Sequence, residues 1–220
     1  TQRRALLFLF YSFASQFAVL GSGTTAQPSK TVADYDHWLK RARVIPEVFD
    51  QGIANMREGI AAGITQPRVL MEKVLPQLDA QIVDDVEKSS YWGPVRDLPA
   101  EFSAAERERL TREYRALIAD QLVPAYRRLR DFVANEYLAA ARTSVGLGAL
   151  PNGEAWYAFQ VRQSTTTSLT PEQIHQIGLD EVARIQGEMR KVQQQLGIQG
   201  SLAHFFAAMK ADPRNYFDTE

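Results

Sequence analysis

Glu172 and His175 lie at a spacing that binds metal ions in helical proteins. Residues three apart share one face of a helix, and Glu-x-x-His is the spacing by which helical bundles hold di-iron centres. Such a centre needs a second Glu-x-x-His pair and two further glutamates. The other histidines, His37 and His204, have no glutamate three positions earlier. The sequence therefore does not predict a di-iron site.

A zinc peptidase site is not predicted either. Its H-E-x-x-H motif places two histidine ligands one helical turn apart, with the general-base glutamate between them. His175 is followed by Gln176, Leu179 occupies the position of the second ligand, and the motif occurs nowhere in the chain. We interpret His175 as a structural or hydrogen-bonding residue, and we predict no metal ligand and no catalytic residue in this sequence.

The composition excludes several classes of function. With 220 residues, 45% of them hydrophobic, the chain can bury a core in one large or two small domains. The 25 lysines and arginines balance 26 acidic residues, so no overall field attracts nucleic acid or an anionic membrane. Because cysteine is absent, disulfides, zinc–thiolate sites and thiol nucleophiles are excluded. The absence of cysteine is compatible with the cytosol and with export to the periplasm, so it does not determine the compartment.

Residues 1–30 form an apolar N-terminal segment that has two interpretations. Two arginines, an apolar run at residues 5–20 and small residues at 21–26 resemble a signal peptide. However, Ser12, Ser15 and Gln16 interrupt a run that is already shorter than the roughly 20 residues of a membrane span. We favour a buried core element over a signal or anchor, and we do not expect a membrane partner.

Residues 31–220 are predicted to form a helical domain. Apolar residues recur with helical period, and no stretch alternates as a β-strand does. N-cap residues predict helix starts at Thr31, Ser103, Thr170 and Ser201. Pro67 is suited to the first position of another helix, which is expected to continue to about Val83. The predicted fold is all-α, a bundle-like array of helices.

Two of these helices are predicted to be long. The first follows Ser103 and runs to about Arg142, and Pro124 is expected to bend it. The second follows Thr170, and its apolar residues keep helical period for about six turns, so we expect them to face a core. These residues are Ile174, Ile177, Val182, Ile185, Met189, Val192 and Leu196. Residues 212–220 resemble the approach to another helix, so we expect the domain to be incomplete at its C-terminus.

Three stretches resemble a bacterial family called domain of unknown function 885. They are GEAWY at residues 153–157, STTT at residues 164–167 and LTPEQIHQIGLDEVARI at residues 169–185. The similarity spans about residues 15 to 220. It implies a large, mostly helical, zinc metallopeptidase-like protein whose H-E-x-x-H motif follows the last of these stretches. We therefore expect no cofactor in this segment, zinc only in a longer parent, and no activity from the segment alone.

The resemblance also implies that the segment forms one wall of a peptide-binding cleft. The candidate substrate-binding residues are Gly153, Trp156, Tyr157, Thr165, Thr166 and His175. Tyr157 is the first choice for contact with a substrate or a transition-state oxyanion. The alternative is that Trp156 and Tyr157 belong to a core and that the threonines bound a turn.

Two hypotheses of function follow. In the first, the expected partners are a peptide substrate of the parent protein and the C-terminal half of that same protein. In the second, the chain is a non-catalytic helical interaction module. Hydrolysis by a longer chain, or its absence, separates the two.

Overall fold

The structure is a computed structural model, and it describes residues 13–24 and 27–217. Within these residues the chain is helical and has no strand, although one isolated bridge pairs Pro67 with Arg142. The predicted all-α fold is confirmed. Contacts divide the chain into two compact units, Thr1–Glu154 and Ala155–Glu220, which we call the N-terminal unit and the C-terminal unit.

In the described residues of the N-terminal unit, five α-helices precede one long helix. The five are α1 (Phe13–Gly21), α2 (Val32–Ala42), α3 (Ile45–Ala61), α4 (Arg68–Asp79) and the single turn α5 (Gly93–Arg96). The N-cap predicted at Thr31 is present, and it forms a capping box with Asp34. Helix α4 begins next to Pro67 as predicted, with Pro67 as its N-cap rather than its first residue, but it ends at Asp79, before Val83. Val83 instead packs, partly buried, against the core.

Residues 104–140 form the predicted long helix, with its capping box at Ser103. It consists of α6 (Ala104–Ala116), a π segment (Leu117–Leu122), α7 (Val123–Phe132), a second π segment (Val133–Tyr137) and α8 (Leu138–Ala140). Pro124 cannot donate a backbone hydrogen bond, and the wider π turn before it relieves the crowding by its ring. The helix stops short of Arg142, whose carbonyl oxygen instead accepts a hydrogen bond from the Arg68 amide at 2.8 Å.

The core of the N-terminal unit lies where α2, α3 and α4 pack against the long helix. Its fully buried side chains include Leu39, Met56, Met71, Leu78, Leu110, Tyr114, Ile118, Leu122, Tyr126, Leu129, Val133 and Tyr137. Two buried hydroxyls in this core, those of Tyr91 and Tyr126, share a hydrogen bond of 2.7 Å. Burial raises the pKa of both tyrosines, so the pair stays neutral and is compatible with an apolar core.

Helix α1 packs in the same core. Ala18 is buried, and the Phe17 ring lies 5.9 Å from that of Phe49. A side chain at Gly21 would overlap the Tyr91 ring, so only glycine permits this approach. The rest of the apolar N-terminal segment, residues 1–12, 25 and 26, lies outside the described residues. Among the helices the structure describes, none is long and apolar enough to cross a membrane.

The C-terminal unit contains the remaining helices. They are α9 (Gly153–Thr165), which starts two residues before this unit, α10 (Pro171–Gln195) and α11 (Leu202–Ala211), followed by a 3-10 turn (Pro213–Asn215). The predicted caps at Thr170 and Ser201 are both present. Helix α11 starts beside α10, where the buried Gln193 side-chain amide donates a hydrogen bond of 2.9 Å to the Gly200 carbonyl oxygen.

The apolar residues of α10 do not face a core, contrary to the prediction. Ile177, Val182, Ile185, Val192 and Leu196 are between 42% and 55% exposed. The other two residues of the set, Ile174 and Met189, are half-buried. The physical reason is that α11, the helix that packs on α10 within this unit, starts on the side that carries Gln193.

Candidate functional site

The six predicted site residues lie on α9, on the turn after it and on α10. Gly153 opens α9 in the N-terminal unit, and the other five belong to the C-terminal unit. Trp156, Tyr157 and Thr165 are on α9, and Thr166 begins the turn. His175 lies on the next helix, where its side chain is exposed.

Gly153 is buried where α9 meets the preceding loop. Its N–H donates a hydrogen bond of 2.8 Å to the Leu150 carbonyl oxygen. A Cβ at this position would overlap the carbonyl oxygen of Leu147 and would lie 2.9 Å from backbone carbons of Gly148. The backbone that comes close to Gly153 is thus the chain's own, and the glycine fixes where α9 starts.

Trp156 and Tyr157 follow Gly153 by three and four residues, so the three share one face of α9. Trp156 is half-buried, whereas Tyr157 is 49% exposed. Tyr157 is therefore not a core residue, and about half of it is accessible on the surface.

The hydroxyls of the threonine stretch form a hydrogen-bonded turn. Thr165 Oγ1 donates to the Val161 carbonyl oxygen at 2.9 Å and lies 3.0 Å from Thr167 Oγ1. Thr166 has a φ of 56°, a left-handed conformation that is costly for a β-branched residue, and its Oγ1 donates to the Thr165 carbonyl oxygen at 2.7 Å. These bonds stabilise the turn between α9 and α10.

The histidines do not form a metal site. The described residues contain no group of three or more His, Cys, Asp or Glu side chains that could hold a metal ion. His37, His175 and His204 are all exposed. A zinc ion that activates water needs three protein ligands and an open fourth position. The donors in the described part of the chain therefore do not fit the zinc that the family resemblance implies.

A concave surface of about 540 Å³ lies between α3 and the long helix of the N-terminal unit. Ile53 and Phe132 form its apolar floor, and the guanidinium of Arg57 lies 5.2 Å from the centre of the Phe132 ring. This surface was not predicted from the sequence. Its lining residues come from helices that are far apart in the chain, so no local sequence pattern predicts that they lie together.

Ion pairs across the same two elements form the rim of this surface. Arg57 contacts Glu136 at 2.5 Å, and Arg128 contacts Asp50 at 3.1 Å. The hydrogen bond from Arg57 lowers the pKa of Glu136. Both arginines thus have carboxylate partners, and exposed pairs of this kind contribute little to stability.

Comparison with known proteins assigns the chain to a family. Residues 4–220 match the family described as "Bacterial protein of unknown function (DUF885)". The chain belongs to the DUF885 family. The match includes every described helix of the DUF885 chain and confirms the resemblance seen in the sequence. Because the family description names no activity, the zinc peptidase character remains a prediction.

A solved structure shares the fold of the DUF885 chain. It is a crystal structure described as that of a candidate lipoprotein from Colwellia psychrerythraea, with a TM-score of 0.79 and 23% sequence identity. The similarity covers 89% of the DUF885 chain and 34% of the solved chain, so the DUF885 chain spans about a third of that protein's length. Among curated proteins, no sequence matches the DUF885 chain significantly.

Proposed function

We propose that this DUF885 chain forms one wall of a peptide-binding cleft in a longer zinc-dependent peptidase or related hydrolase. The wall is the face of α9 that carries Trp156 and Tyr157. The observation that carries the proposal is the 49% exposure of Tyr157, next to a half-buried tryptophan. Zinc and the general base would belong to the longer parent, because the described residues do not fit a zinc site.

The chemistry of this face fits an extended peptide. A tyrosine offers a large, rigid contact area at low entropic cost, and its hydroxyl can donate to a peptide carbonyl or to an oxyanion. Gly153, Thr165 and Thr166 contribute by positioning α9. Gly153 places the start of α9 against the loop, and the turn of Thr165 and Thr166 fixes its end. We expect Tyr157 to be the main contact.

Fluorescence polarisation of the 220-residue chain with a fluorescein-labelled random decapeptide pool tests this proposal. We expect measurable binding that Tyr157→Ala weakens about tenfold, which corresponds to ~1.4 kcal/mol. Phe159→Ala is the matched control. Phe159 is 44% exposed on the same helix, about 200° around the axis from Tyr157.

The binding experiment has two outcomes that contradict the proposal. One is that the chain does not bind the peptide pool. The other is that the Tyr157 and Phe159 variants bind equally well. A separate assay on a longer polypeptide that includes a downstream H-E-x-x-H motif tests the chemistry, since we expect one bound zinc and peptide cleavage that chelation abolishes.

A second candidate function is a non-catalytic helical interaction module. The exposed apolar residues of α10 favour it, because apolar surface of this kind marks sites of association. An interaction module would bind a protein partner. It would not cleave the decapeptide pool, even as part of the longer polypeptide.

A further inference from the structure

Four apolar residues of α10 and its C-cap residue form a stripe with heptad spacing, which we call the α10 seam. They are Val182, Ile185, Met189, Val192 and Leu196, separated by three, four, three and four residues. This spacing has a mean period of 3.5 residues, the repeat by which one helix packs along another in a left-handed crossing. The seam therefore gives α10 a narrow apolar stripe along which a second helix can pack.

The α10 seam is open in the described residues. Four of its five members are 42–55% exposed, and Met189 is half-buried. Helix α11 does not cover it, because α11 starts beside Gln193, which lies next to the seam in the heptad. The exposed side chains lie in a row along α10, a regular 25-residue helix, so a second helix can pack along them.

The residues that flank the seam disfavour an antiparallel pair of copies of this chain. One flank carries Glu181 and Glu188, and the other carries Gln186 and Gln193. In a parallel pair of copies each glutamate would face a glutamine, and in an antiparallel pair glutamate would face glutamate. Glu181 and Glu188 already have cationic partners on α10 itself, Arg184 at 2.8 Å and Lys191 at 2.9 Å. Charge therefore disfavours only the antiparallel pair of copies, in which like charges face each other.

The shared fold indicates where this helix comes from. The solved relative aligns with 89% of the chain, which is more than the N-terminal unit contains, so the alignment extends into the C-terminal unit. That relative is about three times as long as the aligned portion. At least part of the unit that carries the seam thus occurs in a protein with much more chain to pack against it.

We infer that the α10 seam docks an apolar-seamed helix from the remaining part of a longer DUF885 polypeptide. This inference does not rest on the peptide-binding proposal, since it concerns another helix and another kind of contact. The seam would then join the C-terminal unit to the rest of its own protein.

Thermal unfolding of Ile185→Glu and Val192→Glu in two settings tests the inference. One setting is the 220-residue chain, and the other is the polypeptide encoded by the reading frame that continues past residue 220. We expect both substitutions to leave Tm unchanged in the 220-residue chain and to lower it by several degrees in the longer polypeptide. Gln194→Glu is the matched control, because it adds the same charge on the opposite side of α10 and should change neither Tm.

Three outcomes would overturn the inference. In the first, the seam substitutions unfold the 220-residue chain while Gln194→Glu does not, which means that the seam is packed within this chain. In the second, light scattering shows that the 220-residue chain dimerises and that Ile185→Glu abolishes the dimer, which identifies a second copy as the partner. In the third, no coding sequence follows residue 220, or the longer polypeptide tolerates both substitutions.

Discussion

The two units use the same apolar periodicity with opposite results. In the N-terminal unit, Leu110 and Leu129 of the long helix are fully buried, because α2, α3 and α4 pack around them. In the C-terminal unit, Val182 and Val192 repeat just as regularly on α10 and are about half exposed. A periodic pattern therefore tells which face of a helix is apolar. It does not tell whether this chain supplies the helix that covers that face.

The largest expected effect comes from a substitution in the buried core of the N-terminal unit. Leu129→Ala removes a fully buried side chain and leaves a cavity in the N-terminal core, so it should lower the free energy of unfolding by about 2–5 kcal/mol. Denaturant titration of the 220-residue chain measures this loss.

Val182→Ala makes a similar truncation on the exposed α10 seam and serves as the comparison for Leu129→Ala. It should change the free energy of unfolding by less than about 0.5 kcal/mol. Similar losses for the two variants would mean that the seam is packed in this chain, and the contrast between the units would then be wrong.

A smaller effect is expected at Gly153, a predicted site residue that lies against the backbone of its own chain. Gly153→Ala places a Cβ into the backbone of Leu147 and Gly148, so it should lower the free energy of unfolding by about 1–3 kcal/mol. Circular dichroism during urea titration gives this value, and peptide binding should change only through the displaced start of α9.

Gly187→Ala is the matched control for Gly153→Ala. Gly187 lies within α10, and a Cβ there meets no atom within 4 Å. Alanine is a better helix former than glycine, so this substitution should raise the stability of the C-terminal unit by about 1 kcal/mol. A Gly153 variant as stable as the wild type, but defective in peptide binding, would instead make Gly153 a substrate contact.

Much of the fold could be predicted from local sequence because local chemistry determines it. The capping boxes at Thr31, Ser103 and Thr170 begin helices where predicted, since each satisfies its backbone donors with neighbouring side chains. The π segments could not be predicted in this way. The sequence predicted only a bend at Pro124, which the first π segment precedes, and the second, Val133–Tyr137, contains no proline to mark it.

The candidate site was predictable only in part. The family resemblance selected Tyr157, and the structure adds that the side chain is exposed. Sequence alone could not show that Thr165 and Thr166 form hydrogen bonds within their own turn, because that depends on the left-handed backbone of Thr166. At the concave surface between α3 and the long helix, Arg128 pairs with Asp50, which is 78 residues away in the sequence. No local sequence pattern predicts a pair so far apart.

Hydrogen–deuterium exchange of the 220-residue chain tests the contrast between the two units most directly. Amides of residues 123–132, in the buried part of the long helix, should exchange only when the N-terminal unit unfolds. Amides of residues 174–192, on a helix with an open apolar face, should exchange much faster through local opening. Equal protection of the two segments would contradict the account, because it would mean that α10 is as fully packed as the core of the N-terminal unit.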